Sequence, residues 1–331
     1  LFAPQELGTE AYKYLFILEN EKSNPANINK TGNKEYIFTR RHDPVINSIG
    51  FNITQGRLGN ALYVTRKMAN MYLQSNGLPI NPQTWNYTKV DDEYKNRDNR
   101  MNNQLMVPGQ TYWGTNGGRI DWSGNAAEIA NASHRNFMPQ TGTGYFPHKW
   151  CSERDGVPTG MEAYDFPVIR YAEVLLNYAE AAVEVGKTNE AFDMLKQIRK
   201  RAGINETSSN PEMKGKVYGL NPNMNQTEMR EAVREERFIE LLFEQKRLWD
   251  MRRWMIYDKL MNGQGKRHAL VMNKQADNTY TTYLFDRDNT PMITNQNIYF
   301  LSMKRSEMSN NPNLEQTKGW ENGTFDPQAG L

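Results

Sequence analysis

Eight charged residues crowd one stretch of the chain: Glu235, Glu236, Arg237, Glu240, Arg247, Asp250, Arg252 and Arg253. Paired carboxylates at this spacing could perform the general acid and base work of glycoside hydrolysis. The same alternation of acid and base along one helix is what a structural ion-pair network requires, and such networks perturb pKa values as active sites do. We read the stretch as scaffold. The four histidines, His42, His134, His148 and His268, include no pair one helical turn apart, so no metal site is expected. His148 and Cys151 lie close in sequence, but no neighbouring residue suggests the third, orienting group of a thiol nucleophile. Gly114, Gly117 and Gly118, and later Gly142 and Gly144, lack the following lysine and helix of a phosphate-cradling loop and read as flexible turns. No catalytic residue, metal or cofactor is therefore expected.

The aromatic residues offer different chemistry. Between residues 77 and 163 the chain is rich in Gly, Asn, Pro and Thr, yet it holds Trp85, Trp113, Trp122 and Trp150, four of the seven tryptophans. Disordered segments are poor in aromatics, and a long loop region in a compact chain is usually functional. A pyranose packs its face of C–H groups on an aromatic ring, while its hydroxyls need polar partners. Tyr112, Trp113 and Trp122 stand among Asn116, Arg119 and Asp121, so both kinds of group fall within a dozen residues. These six are the candidate ligand-binding residues of a shallow sugar platform. The competing reading is that the tryptophans pack the loops against the helices.

The bulk composition excludes several classes. With 331 residues the chain can build its core from apolar side chains alone, without metals or disulfides. Forty basic residues against 38 acidic ones leave no single-sign field to attract nucleic acid. Cys151 is the single cysteine, so no disulfide can form within the chain. No apolar run approaches the roughly 20 residues of a membrane-spanning helix.

Residues 1–20 are expected to form an amphipathic helix through Tyr12, Leu15, Phe16 and Leu18, and residues 35–38 a short strand. Another helix is expected over residues 59–74. The clearest pattern follows: Tyr171, Val174, Leu175, Tyr178, Ala179, Ala182 and Val183 recur at the spacing of one helical face, ended by Gly186. Thr188 is placed to cap a second helix, whose stripe is Ala191, Met194, Leu195, Ile198 and Ala202 and whose end is Gly203. So short a connection makes an antiparallel hairpin over residues 164–203, with small residues spaced as in tetratricopeptide hairpins. A long charged helix over 227–262, capped by Thr227 and broken near Arg247, places Trp249 and Trp254 in the core. Short strands and turns are expected over 263–331, the best late strand being residues 298–303.

Two runs carry a family resemblance. Asp165-Phe166-Pro167-Val168-Ile169-Arg170-Tyr171 leads into Ala172-Glu173-Val174-Leu175-Leu176-Asn177-Tyr178-Ala179-Glu180-Ala181, followed by Ile198-Arg199-Lys200-Arg201-Ala202-Gly203. Glu236-Arg237-Phe238-Ile239-Glu240-Leu241 leads on to Arg247-Leu248-Trp249-Asp250-Met251-Arg252-Arg253-Trp254. In order and spacing they resemble the SusD/RagB family of nutrient-binding outer-membrane lipoproteins, and residues 77–80, 97–100 and 311–316 agree. Asn99 stands where the family commonly has proline, and Thr317-Lys318 replaces the usual Asn-Pro, so local turns there are expected to differ.

The resemblance implies a mainly α, SusD-like fold over 1–331, with tetratricopeptide-like hairpins and a loop-rich ligand face with a few short strands. It implies non-catalytic glycan binding at the bacterial cell surface and handover to a SusC-like TonB-dependent transporter. The family's N-terminal helical segment, signal peptide and lipidated cysteine are expected to be missing from this chain, and with them the lipid that anchors it at the outer membrane. A peptide or other nutrient as cargo, a glycoside hydrolase and a helical-repeat scaffold remain the alternatives.

Overall fold

The computed structural model describes residues 1–50, 64–82, 93–107, 143, 145, 147–153, 160–206, 208–263, 268–274, 280–286 and 291–329. They fall into two compact units. One comprises Leu1–Glu240 and His268–Phe285; the other, Leu241–Arg267 and Asp286–Leu331.

The first unit begins with a 3-10 turn over Gln5–Glu10, kinked where Gly8 adopts φ 51°, and a single α-helical turn, α1, Ala11–Tyr14. The expected amphipathic helix is thus much shorter. Tyr12, Tyr14, Leu15, Phe16, Ile17 and Leu18 are all buried, so the segment runs through the core without a solvent face. Strand β1, Tyr36–Arg40, confirms the expected strand and extends it. Helix α2 covers Arg66–Met71, ending earlier than expected, with Thr65 Oγ1 accepting from the Met68 N–H, and residues 59–63 of the expected helix lie outside the described residues. Helix α3, Asn99–Gln104, is capped by Asp98, whose carboxylate accepts from the Arg100 N–H. Asn99 is therefore the first helical residue, a position that proline also suits, and the departure from the family pattern leaves the helix start intact.

Strand β2, Phe166–Arg170, pairs antiparallel with β1 and leads directly into α4, Tyr171–Glu184. Irregularities in the register leave Ile37 and Phe38, adjacent in sequence, both exposed, beside Val168 and Ile169 on β2. Helix α5 covers Thr188–Arg201, and α4 packs on α5 and on α6, Gln226–Glu240. The hairpin ends as its glycines require: Gly186 and Gly203 both have φ 77°. Lys187 N–H reaches the Ala182 carbonyl and Ile204 N–H the Arg199 carbonyl, closing both helices with Schellman motifs.

The buried face of α4 is Ala172, Leu175, Leu176, Ala179, Ala182 and Val183. Tyr171, Val174 and Tyr178, expected on that face, are instead 38–49% exposed. The three-residue spacing drifts around the helix and carries them out of the seam. The caps differ too. Thr188 lies inside its helix, and the start of α6 is capped by Asn225, which accepts from the N–H groups of Thr227 and Glu228 while Glu228 accepts from the Asn225 N–H.

In the second unit the expected long helix is interrupted earlier and more widely than at Arg247. After Glu240 the chain turns, with Phe243 and Gln245 at φ 62° and 63°, before α7, Arg247–Arg253, and α8, Tyr257–Met261. Trp249 is 61% exposed and Trp254 half-buried, so neither is a core residue as expected. The late strands, β3, His268–Lys274, and β4, Tyr280–Asp286, pair with each other and belong, but for Asp286, to the first unit. The segment expected as a strand contains only the end of a 3-10 turn over Gln296–Ile298, and a short helix α9, Arg305–Asn310, follows. Thr317, where the family has Asn, is buried and donates through Oγ1 to the Leu301 carbonyl at 2.9 Å.

Candidate functional site

Tyr112, Trp113, Asn116, Arg119, Asp121 and Trp122 lie outside the described residues, as does Trp85. Trp150, from the same loop region, is described and is core. It is 2% exposed and packs on Phe16 and Phe166, with ring centroids 4.9 and 5.0 Å away.

The carboxylates that could have run acid–base chemistry are held at the centre of the first unit. Glu236 and Glu240 are spaced by one turn of α6 and face inward, both fully buried. Arg100 Nη1 lies 2.6 Å from Glu236 Oε1 and 3.1 Å from Glu240 Oε2, while Arg199 Nε donates to Glu236 Oε2 at 2.7 Å. Arg170 Nη1 bridges Glu240 Oε1 at 2.8 Å and Glu35 Oε1 at 2.7 Å, and Arg201 pairs with the same two acids. Asp98 completes the group against Arg100, 2.7 Å away.

Four cations therefore meet four anions out of contact with water. Burial pushes both glutamates up, but Arg201, Arg170 and Arg100 hold the Glu240 carboxyl far below the usual carboxylate range, and Arg100 and Arg199 lower that of Glu236. Both stay ionised, and neither can supply a proton to a substrate. The helix contributes only part of this network. Arg100 comes from α3, Arg170 from the end of β2, Arg199 and Arg201 from α5 and Glu35 from the approach to β1. The remaining charges expected in it go elsewhere: Arg237 donates to the Asn177 amide oxygen at 2.7 Å, Asp250 pairs with Arg253 at 2.9 Å, and Arg252 stacks over the Trp249 ring.

The sequence reading also missed Glu153. It lies 3.2 Å from His148 Nε2, so an orienting carboxylate does stand beside the histidine. Lys13 approaches the same carboxylate at 2.8 Å and Tyr14 donates to it at 2.9 Å. Cys151 Sγ contacts the Pro147 carbonyl at 3.6 Å. His148, Cys151 and Glu153 are each 2% exposed or less, so no substrate reaches them from solvent. The cluster ties α1 to the segment after the loops. Among the described residues no group of three or more His, Cys, Asp and Glu could hold a metal ion.

Each unit has a cleft that opens to the surface. In the first unit a cleft of about 470 Å³ runs beside β1, walled by Leu15, Leu18 and Phe38 and edged by Lys30, Arg41 and Asp165. In the second a smaller cleft of about 280 Å³ lies between Asp258, Tyr299, Lys318 and Asp326. There Tyr299 bonds to Asp258 and Lys318 pairs with Asp326, and Lys259 lines the same cleft.

The family model described as "SusD family" matches residues 17–320. SusD-like protein P2 of Formosa agariphila is 30% identical over 145 residues, 44% of this chain and 25% of that protein. A solved SusD-like protein of Bacteroides fragilis NCTC 9343 aligns with TM-score 0.62 at 20% identity, over 88% of this chain and 55% of that one. A SusD-like carbohydrate-binding protein of the same organism gives TM-score 0.56 at 21% identity, over 93% and 61%. The chain thus spans about a quarter of that curated relative and a little over half of these solved structures. The likeness to the solved proteins is one of fold, mainly helical with few strands.

Proposed function

Because the chain belongs to the SusD family, we propose that it binds carbohydrate without making or breaking bonds, at the surface of a bacterial cell. The observation that carries the non-catalytic part is the closure of Glu236 and Glu240 within four arginines. A hydrolase needs one carboxyl that can hold a proton near neutral pH and another that water or sugar can reach, and these two are ionised and sealed.

The carbohydrate part is supported by a fold shared with a protein described as carbohydrate binding, and by the aromatic and polar residues at 112–122. Tyr112, Trp113 and Trp122 are the anchors of that platform, with Asn116, Arg119 and Asp121 pairing hydroxyls. Handover to a SusC-like TonB-dependent transporter, and attachment to the outer membrane through a lipid on an N-terminal segment outside this chain, complete the proposal.

A glycan array, with reducing-end release measured on every hit, tests it. Binding without release is expected. Release of sugar from any hit would sink the non-catalytic claim, and binding confined to a peptide panel would redirect the cargo.

A further inference from the structure

The cleft beside β1 has a chemical bias that narrows the ligand. Resting on the carbohydrate reading above, we propose that it takes an acidic sugar, a uronate or a sulfate ester, with the anionic group on Arg41 and a ring face on Phe38.

The bias begins in the sequence. Residues 30–41 contain Lys30, Lys34, Arg40 and Arg41 against a single acid, Glu35. Glu35 is turned inward onto Arg170 and Arg201, so it neutralises none of the four. Lys30 is occupied as well: its ammonium pairs with Asp165 at 2.7 Å and donates to the carbonyls of His42 and Ala163. Asp165, the one carboxylate lining the cleft, also accepts from the His42 N–H at 3.0 Å. Both contacts fall on Asp165 Oδ1, so its negative charge is matched by Lys30 within the cleft.

Arg41 is different. It is exposed, it lines the cleft, and among the described residues its guanidinium has no hydrogen-bond or ion-pair partner. Asn33 lines the same cleft with its amide oxygen engaged by the Glu35 N–H, which leaves its NH2 group as a further donor. A neutral sugar hydroxyl asks for an acceptor as readily as for a donor. In this cleft Asp165 is ion-paired with Lys30, and the charge left without a counter-ion is that of Arg41, so a carboxylate or sulfate is the better match. A planar guanidinium fits both through paired N–H groups.

The apolar side is equally marked. Phe38 is 61% exposed, beside a wall of Leu15 and Leu18. An exposed aromatic ring at the mouth of a cleft offers the face on which a sugar's C–H groups pack. The volume, about 470 Å³, lies within the ordinary range of ligand pockets, roughly 300–1,000 Å³.

The test is calorimetric titration of the whole chain with four probes: oligogalacturonate, a sulfated galactan oligomer, and neutral malto- and xylo-oligosaccharides. At least one anionic probe is expected to bind, and to weaken steeply as salt rises from about 0.05 to 0.5 M. Arg41→Gln should lower that affinity about tenfold or more and Phe38→Ala about fivefold or more. Both residues are exposed, so melting temperatures should hold. Comparing the two anionic probes distinguishes uronate from sulfate. The proposal is overturned if neutral sugars bind as well as anionic ones, or if neither variant changes binding. Either result leaves the carbohydrate reading standing. Failure of all these probes while some array glycan binds would overturn this proposal alone, and failure of every array glycan would remove both.

Discussion

Replacing Glu240 by Gln keeps the side chain's shape and removes one charge from a sealed group of eight. Its carboxylate lies 2.8 Å from Arg170 Nη1 and 3.1 Å from Arg100 Nη1, and it pairs closely with Arg201. With an effective dielectric of about 20, each such contact contributes on the order of 4 kcal/mol of attraction. Three contacts give about 12 kcal/mol gross. Mutual repulsion of the arginines and several kcal/mol of desolvation per ion offset most of it, so the measured loss should be about 3–5 kcal/mol, the usual consequence of stranding a buried charge.

Denaturant unfolding at pH 7, read by far-ultraviolet circular dichroism, measures it. A pH series adds a second reading. The folded-state pKa of Glu240 and Glu236 is depressed, so their stabilisation is fully present above the ordinary glutamate value and is lost as pH falls through the depressed one. The native protein should therefore weaken progressively below about pH 4.5, and Glu240→Gln should weaken less steeply there. A loss under about 1 kcal/mol at pH 7, or identical acid slopes, would refute the network as a source of stability.

Two glycines separate backbone strain from crowding. A Cβ on Gly77, at φ 86°, would meet the Tyr218 carbonyl oxygen at 2.1 Å, whereas one on Gly186, at φ 77°, meets nothing within 4 Å. Gly186→Ala should lose about 1–2 kcal/mol from its left-handed conformation alone, and Gly77→Ala distinctly more; equal losses in thermal melts would contradict the close approach. Trp150→Ala should lose about 3–5 kcal/mol of stability, while Trp249→Ala, at a 61% exposed site, should stay within about 0.5 kcal/mol. Reversed rankings would show that the burial is misassigned. Trp113→Ala and Trp122→Ala should each weaken glycan binding by about 1–3 kcal/mol with folding nearly intact; normal binding, or unfolding, in both variants would refute the platform.

The antiparallel hairpin was legible because its signals are local: glycines at both helix ends, small residues at the seam and a connection too short for any other packing. The ion-pair network was legible only in half. Alternating charge on α6 announced Glu236 and Glu240, but their partners sit 37 to 140 residues away in sequence, and no spacing rule links Arg100 to Glu240. Glu153 was missed for another reason: it stands five residues beyond His148 in a segment with no helical or strand periodicity, so no spacing rule sets it beside the histidine, and its other partners, Lys13 and Tyr14, come from the distant α1. The break after Glu240 had no local sign either. Neither Gly nor Pro occurs between residues 241 and 246, and Phe243 and Gln245 take left-handed backbone angles that their side chains do not favour. Trp249 was misread because apolar spacing on a short helix says which face is shared but not whether anything covers it.

The placement of charge connects scaffold and site. A group of four arginines and four acids at the centre matches its charges internally, so it shapes the fold and presents no field at the surface. Glu35 belongs to that group, and by turning inward it leaves the basic run on either side of it unneutralised. The side chains of Lys34, Arg40 and Arg41 are exposed around β1, and none of the three makes an ion pair among the described residues. One buried glutamate thus does two things: it anchors the strand to Arg170 and Arg201, and it makes the outer edge of the same strand positive. Glu35→Gln would therefore weaken the fold without adding or removing a charge on the cleft, whereas Arg41→Gln would neutralise the cleft with the fold unchanged. Stability and ligand charge preference should separate cleanly between those two variants.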